Sequence, residues 1–192
     1  LPVSVLETWR SISGQTLLER YGMTEMGMAI SNSYRGTRNS GFIGLPLANV
    51  TIRLANENDV IVDEGISGEI QVKGPNIFKE YWQKPEATKN TFTGDGWFKT
   101  GDIAVFENGN YRILGRNSVD IIKSGGYKIS ALEIEEVLRK HPKVKECGVV
   151  GIPDDEWGEI IGASLILEDG NSIDLDKLKD WLKERLPLYQ LP

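Results

Sequence analysis

The sequence contains one cysteine, one histidine and no long hydrophobic run. A single cysteine cannot form an internal disulfide, which favours a reducing compartment. A single histidine excludes a zinc site built from several histidines and argues against a serine–histidine catalytic triad. The longest apolar stretches, Cys147–Ile152 and Ile160–Leu167, fall far short of the ~20 residues that cross a membrane.

An excess of positive charge is also missing. The 22 basic residues are outnumbered by 28 acidic ones, which gives the 192-residue chain a formal net charge of −6. Because nucleic-acid binding needs a basic surface, we expect no nucleic-acid partner. Hydrophobic residues make up 40% of the chain, as in ordinary folded domains. The chain begins at Leu1 without an initiator methionine and stops soon after an expected helix, so we interpret it as a fragment.

Glycine is abundant, and its 21 copies punctuate short segments rich in β-branched residues. This pattern predicts strands over Thr16–Tyr21, Val50–Ala55, Gly68–Lys73, Ile103–Glu107 and Tyr111–Leu114, and helices over Val3–Ser11 and Pro85–Thr91. Asn108 and Gly109 predict a tight turn that joins the last two strands as a hairpin.

The second half of the chain changes character. Ser130 and Glu133 form a capping box that predicts a helix to about Lys140. Strands over Val144–Ile152 and Ile160–Leu167 follow, and Asp174 is the expected cap of a helix over Leu175–Leu186. The whole pattern predicts an α+β protein with a boundary near Gly115–Val119.

The first segment that suggests chemistry is Tyr21-Gly22-Met23-Thr24-Glu25, predicted to follow a strand directly. A glycine turn in that position lets backbone N–H groups approach a phosphate, and Thr24 adds a hydroxyl. Glu25 is the hard oxygen ligand that Mg²⁺ prefers beside phosphate oxygens, and Tyr21 offers a flat face to a base. An ordinary surface turn remains the alternative.

Three further segments follow in order along the chain. Gly68–Gly74 alternates like a plain strand, and in Trp97–Asp102 a carboxylate just past a glycine turn can accept bonds from a ribose diol. In Gly115–Ser130, Arg116 can pair with ribose or phosphate oxygens, and Gly125 and Gly126 leave space for a ligand beside the backbone. Taken alone, the first of these segments could be a plain structural strand, the second an Asx turn, and the third a linker and hairpin.

Taken together, the sequences YGMTE, GEIQVKG, WFKTGD and GRNSVDIIKSGGYKIS resemble the successive core motifs of acyl-CoA synthetases. These enzymes belong to the adenylate-forming superfamily, which also holds firefly luciferase and peptide-synthetase adenylation domains. The resemblance covers essentially the whole chain. It implies that residues 1–116 are the β-rich C-terminal part of a large AMP-binding domain and that residues 117–192 are a small α+β lid.

The resemblance also implies a two-step reaction that uses ATP, Mg²⁺ and coenzyme A. Tyr21 would stack on adenine, with Gly22 in the same motif, while Thr24 would contact phosphate and Glu25 would hold Mg²⁺. Asp102 would bind the ribose hydroxyls with Arg116 nearby. In the lid, Lys123 and Ser124 would enter the site for thioester formation, and Gly125 and Gly126 would line the pantetheine tunnel. The hinge could be Ser118, Val119 or Asp120.

Two elements of the superfamily have no counterpart in this chain. The Gly-rich phosphate loop lies upstream in relatives, and the adenylation lysine lies beyond the LPLYQLP segment near the end. We therefore expect the isolated chain to be inactive, or nearly so, and the parent protein to be the enzyme. A truncated homologue that only binds nucleotide or CoA is the alternative.

The acid substrate is inferred from the same resemblance. Residues 17–34 and the spacing from Arg116 to Lys123 are most similar to malonyl-CoA synthetases, so malonate is the expected substrate. A short- or medium-chain fatty acid is the alternative. The single cysteine favours a reducing compartment, so we expect an intracellular location, cytoplasmic or mitochondrial.

Overall fold

A computed structural model describes all residues from 1 to 192 and divides them into two compact units, Leu1–Ile113 and Leu114–Pro192. Both units mix helices with antiparallel strands, which confirms the predicted α+β class. The division falls within a strand that ends at Arg116, the residue after which the sequence places the boundary. No helix has the length and apolar character needed to span a bilayer.

The first unit contains two helices and two sheets. Its elements are helix α1 (Val3–Ser13), strands β1 (Arg20–Met23), β2 (Gly27–Ser31), β3 (Leu45–Pro46), β4 (Thr51–Ala55) and β5 (Gly68–Lys73), helix α2 (Pro85–Thr91), and strands β6 (Phe98–Glu107) and β7 (Asn110–Arg116). Strands β1 to β3 form one sheet and strands β4 to β7 form the other, each in chain order. Both sheets contribute to one apolar core, which includes Met26, Ile30, Ile70 and Phe98.

The second unit builds one sheet with helices against it. Its elements are strands β8 (Ile121–Ser124) and β9 (Tyr127–Ser130), helix α3 (Ala131–Leu138), strands β10 (Val144–Asp154) and β11 (Gly158–Leu167), helix α4 (Leu175–Lys183) and a short 3-10 helix (Leu188–Gln190). The strand order is β10-β11-β8-β9. Ile122, Ile134, Leu138 and Leu182 lie in its core.

Local sequence signals explain several of these elements. Strand β5 and helix α2 have the predicted bounds. The backbone N–H of Glu133 donates to the Ser130 hydroxyl at 3.2 Å, which confirms Ser130 as the N-cap of helix α3. Asn108 and Gly109 both have positive φ, at 51° and 71°, as the predicted hairpin turn requires.

Other predictions need correction. The strand predicted over Thr16–Tyr21 instead covers Arg20–Met23, because its pairing with β2 begins at Arg20, opposite Ser31. Strands β2, β3, β8 and β9 were not predicted, since each is at most five residues long and is defined by its pairing rather than by its own alternation. Helix α4 ends at Lys183, before the predicted end at Leu186.

Candidate functional site

The predicted site residues divide between the two units, and each group is described within its own unit. In the first unit, Tyr21 and Gly22 lie on strand β1, whereas Thr24 and Glu25 lie in the turn to β2. The motif therefore begins inside the strand rather than after it. The N–H of Met26 donates to the Met23 carbonyl at 3.1 Å and closes the turn.

Gly22 is required by the neighbouring strand. A Cβ built on Gly22 would lie 2.1 Å from the carbonyl oxygen of Gly27, so no side chain fits there. The pairing of β1 with β2 also shifts register between Tyr21 and Gly22. The sequence predicts a glycine turn whose backbone N–H groups approach a phosphate, whereas in the structure close packing against Gly27 already requires a glycine at this position.

The Glu25 side chain is partly exposed, and its carboxylate accepts a hydrogen bond from a tyrosine. The Tyr81 hydroxyl donates to Glu25 Oε1 at 2.7 Å, and the N–H of Phe78 donates to the Glu25 carbonyl at 2.7 Å. The amide of Asn76 donates to the Met26 carbonyl at 2.7 Å. Residues 76–81 thus fix the turn between β1 and β2 in both backbone and side chain.

Tyr21 and Asp102 meet although they are far apart in sequence. The Tyr21 hydroxyl donates to Asp102 Oδ2 at 2.6 Å across a sequence separation of 81 residues. The ring of Tyr21 belongs to the core and is 7% exposed, so its hydroxyl is the part that reaches another predicted site residue. Stacking of the ring on adenine remains a prediction.

The Asp102 backbone is fixed by a bulge in strand β6. Glu69 pairs with Ile103 and Gln71 with Lys99, so β6 inserts extra residues opposite Ile70. Within the bulge the Thr100 hydroxyl donates to the Ile70 carbonyl at 2.8 Å and accepts from the Asp102 N–H at 3.1 Å.

Gly101, beside Asp102, supplies the backbone conformation of this bulge. Its φ of 77° lies in the left-handed region that favours glycine. The N–H of Gly101 donates to Glu69 Oε1 at 2.8 Å. Gly101 therefore positions the Asp102 carboxylate. The bond to Glu69 connects this ribose motif to the GEIQVKG motif.

In the second unit, Arg116 begins a tight turn. Its N–H donates to Asp120 Oδ2 at 2.8 Å, and its carbonyl accepts from the N–H of Asp120 at 2.8 Å. A Cβ on Gly115, whose φ is 139°, would lie 2.5 Å from Asp120 Cβ, which explains the glycine. Among the three candidate hinge residues, Asp120 has its side chain bonded within this turn, and Val119 is exposed.

Lys123, Ser124, Gly125 and Gly126 form one hairpin. Strands β8 and β9 pair from Ile121–Ser130 to Ser124–Tyr127, and the two glycines make the turn with φ values of 55° and 83°. Neighbouring groups hold this hairpin. The N–H of Lys123 donates to Glu159 Oε2 at 2.6 Å, and the N–H of Gly125 donates to the Trp157 carbonyl at 3.0 Å.

The two glycines of the hairpin differ in their surroundings. A Cβ on Gly125 would lie 2.8 Å from the Trp157 ring, whereas one on Gly126 would meet nothing within 4 Å. The positive φ at position 126 thus favours glycine, and this glycine faces open space. That openness is compatible with the predicted passage of a ligand.

The residues that sequence analysis missed are partners of the predicted ones. Tyr81 in the first unit, and Trp157 and Glu159 in the second, each contact a predicted residue that is distant in sequence, so only the fold brings these pairs together. Thr100 bonds Asp102 from two residues away, and Glu69 bonds the neighbouring Gly101. The structure has no cluster of three or more His, Cys, Asp or Glu side chains that could hold a metal alone. A single carboxylate such as Glu25 suits Mg²⁺ bound mainly through phosphate oxygens.

Comparison with known protein families matches both units. Residues 1–82 match the family described as AMP-binding enzyme, and residues 133–192 match the family described as AMP-binding enzyme C-terminal domain. The chain is 48% identical, over its whole length, to the mitochondrial malonate–CoA ligase ACSF3 of Bos taurus. It spans 36% of that protein, so the chain corresponds to about a third of this relative.

Comparison with solved structures also matches this chain to CoA synthetases. The chain resembles ATP-bound MatB from Rhodopseudomonas palustris with a TM-score of 0.90 and 38% identity, over 99% of this chain and 38% of that one. It also resembles the o-succinylbenzoate CoA synthetase of Bacillus subtilis in complex with its acyl-adenylate intermediate, with a TM-score of 0.83 and 35% identity. That match covers all of this chain and 39% of the other.

Proposed function

Because the chain belongs to the AMP-binding enzyme family, we propose that it is part of a carboxylate–CoA ligase that works through an acyl-adenylate. The observation that carries this proposal is the 2.6 Å contact between Tyr21 and Asp102, which joins the YGMTE and WFKTGD motifs in one compact unit. The sequence identity that this chain shares with a malonate–CoA ligase supports the proposed class of reaction.

The proposed reaction has two steps. A substrate carboxylate attacks the α-phosphorus of ATP, a new P–O bond forms, and pyrophosphate leaves with the electrons of the broken P–O bond. The CoA thiolate then attacks the acyl carbon, a C–S bond forms, the bond from that carbon to the phosphate oxygen breaks, and AMP leaves with its electrons. Both steps depend on positioning and on neutralising charge at phosphorus rather than on a covalent protein intermediate.

We assign the nucleotide roles to residues of the first unit. Asp102 accepts hydrogen bonds from the ribose hydroxyls, and the Tyr21 hydroxyl and the bulge around Gly101 fix its position. Thr24, which is exposed in the turn, donates its hydroxyl to a phosphate oxygen. Glu25 would hold Mg²⁺, which supplies positive charge at the phosphates when it is bound. Tyr21 and Gly22 complete the motif beside adenine.

We assign the thioester half of the reaction to the second unit. The hairpin that carries Lys123, Ser124, Gly125 and Gly126 would contact the pantetheine arm of CoA, with Gly126 open to it. Arg116 would pair with ribose or phosphate oxygens. These roles make ATP, Mg²⁺ and coenzyme A the cofactors of the parent protein.

Malonate is the proposed acid, with support from the named ligase of Bos taurus. We propose an intracellular location, in cytoplasm or mitochondria; the same relative is named as mitochondrial.

The test of the proposed reaction uses the whole protein that carries this chain, with ATP, CoA and a panel of malonate, butyrate and octanoate. Malonate should give the fastest release of AMP. Faster release with octanoate would make the enzyme a fatty acyl-CoA synthetase, and no AMP with any acid would contradict the ligase.

A further inference from the structure

We propose that Tyr81 is a positioning residue that orients the Glu25 carboxylate for Mg²⁺. This proposal rests on the magnesium role assigned to Glu25 above. It concerns a residue outside the four motifs, in a segment to which the sequence alone assigns no function. The link is the hydrogen bond from the Tyr81 hydroxyl to Glu25 Oε1 at 2.7 Å.

The geometry of this bond favours one orientation of the carboxylate. A hydroxyl that donates to a charged carboxylate makes a stronger bond than a neutral pair does. The bond engages Oε1 and therefore restricts rotation of the carboxylate. Mg²⁺ demands near-ideal octahedral geometry at short distances, so a carboxylate held in one rotamer binds it better than a rotating one.

Tyr81 is itself held firmly. Its backbone N–H donates to the Thr88 hydroxyl at 2.9 Å, and Thr88 lies on helix α2. Its ring contacts the Phe78 ring at a centroid distance of 4.7 Å, and Phe78 contacts the buried Phe98 ring at 5.5 Å. The hydroxyl is therefore presented by a rigid aromatic cluster.

The backbone of the turn has a separate support. The N–H of Phe78 and the amide of Asn76 bond the carbonyls of Glu25 and Met26. Removal of the Tyr81 hydroxyl leaves these bonds in place. The hydroxyl thus acts on the orientation of the carboxylate, whereas the backbone bonds maintain the fold of the turn.

The test measures magnesium dependence of ATP binding in the whole protein, by calorimetry without acid or CoA. The Tyr81→Phe variant should need about 10-fold more Mg²⁺ for half-maximal enhancement of ATP binding, as expected when a carboxylate that binds the metal loses the hydrogen bond that orients it. Its affinity for ATP without Mg²⁺ should be unchanged, and saturating Mg²⁺ should restore full binding. Activity is not needed for either readout.

The matched control is Tyr111→Phe. Tyr111 lies on strand β7, is half-buried and makes no hydrogen bond through its hydroxyl, so its Mg²⁺ requirement should equal that of the wild type. The Glu25→Gln variant should lose most of the Mg²⁺ enhancement.

The outcomes separate two failures. An unchanged Mg²⁺ requirement in Tyr81→Phe, with a clear loss in Glu25→Gln, would overturn the positioning role alone. An equal loss of ATP affinity with and without Mg²⁺ would show a structural lesion and would also overturn it. A normal Mg²⁺ response in Glu25→Gln would instead contradict the metal role on which the proposal rests.

Discussion

At the scale of single residues, two carboxylates of the candidate nucleotide site each receive a hydrogen bond from a tyrosine hydroxyl. The Tyr21 hydroxyl donates to Asp102 at 2.6 Å, and the Tyr81 hydroxyl donates to Glu25 at 2.7 Å. Both tyrosines are fixed by apolar packing of their rings. The carboxylates are therefore oriented before any ligand arrives, which lowers the ordering cost of binding.

Removal of the Asp102 carboxylate should weaken ATP binding. Loss of two hydrogen bonds between a charged group and the ribose should cost about 2–3 kcal/mol, or on the order of 100-fold in affinity. The measurement is the ATP affinity of Asp102→Ala in the whole protein. Asp63→Ala, which removes an exposed carboxylate in the same unit, is the control and should bind normally. Unchanged ATP affinity in Asp102→Ala would remove it from the ribose site.

The single cysteine should react slowly. Burial raises the pKa of the Cys147 thiol, and the nearby Glu135 carboxylate raises it further, although Arg139 opposes this. The thiolate is the reactive form, so less of it is present at neutral pH. Alkylation by iodoacetamide at pH 7.5, followed by peptide mass spectrometry, should be several-fold slower than that of glutathione and should accelerate as the pH rises. A rate equal to that of glutathione would contradict this prediction.

Residue identities in the motifs could be read from the sequence, but their partners could not. Asp102 stands out because it follows a glycine turn, yet nothing local connects it to Tyr21, 81 residues away. Glu69 and Tyr81 look like ordinary strand and loop residues. Their roles arise from contacts that only the folded chain creates, so sequence periodicity gives no signal for them.

At the scale of elements, two glycine hairpins offer a controlled comparison. The β8–β9 turn at Gly126 and the β6–β7 turn at Gly109 both have positive φ, and a Cβ added at either glycine would meet only open space. Leucine should strain both turns to a similar degree. Only the first is assigned to the path of CoA.

The Gly126→Leu variant should therefore slow thioester formation more than adenylation. Pyrophosphate exchange, which needs no CoA, reports adenylation, and acyl-CoA release reports the full reaction. Gly109→Leu should leave the ratio of the two rates as in the wild type. Equal losses of both rates in Gly126→Leu would contradict the tunnel assignment.

Two helix caps should differ in their contribution to stability. Ser130 is 2% exposed, accepts from the Glu133 N–H and also donates to the Leu114 carbonyl, whereas Asp174 is exposed and accepts from the Lys177 N–H. Ser130→Ala should cost about 2 kcal/mol and Asp174→Ala about 1 kcal/mol. Hydrogen exchange of helices α3 and α4 measures both. Equal effects would contradict the role of burial.

The sequence predicted helix starts better than short strands. Caps and turns depend on a few neighbouring residues. The local sequence is therefore enough to recognise the caps Ser130 and Asp174 and the Asn108-Gly109 turn. Strand β8 depends on a distant partner, because it pairs with β11 through Gly158 as well as with β9. The strand predicted at Thr16 was displaced because alternation alone does not show where pairing begins.

At the scale of the whole molecule, the sequence predicted the α+β class, and the structure confirms it. Alternating short strands with two capped helices in the second half carry that signal. The order of strands in the sheets, such as β10-β11-β8-β9, does not follow from local pattern, since it depends on long-range pairing.

The proposed ligase reaction requires the parent protein to activate a carboxylate as an acyl-adenylate. The most direct measurement is exchange of labelled pyrophosphate into ATP by the whole protein, with Mg²⁺ and malonate but without CoA. Adenylation is reversible and releases pyrophosphate before CoA reacts, so we predict exchange that requires malonate and does not require CoA. Absence of exchange, together with formation of ADP and phosphate, would contradict the account.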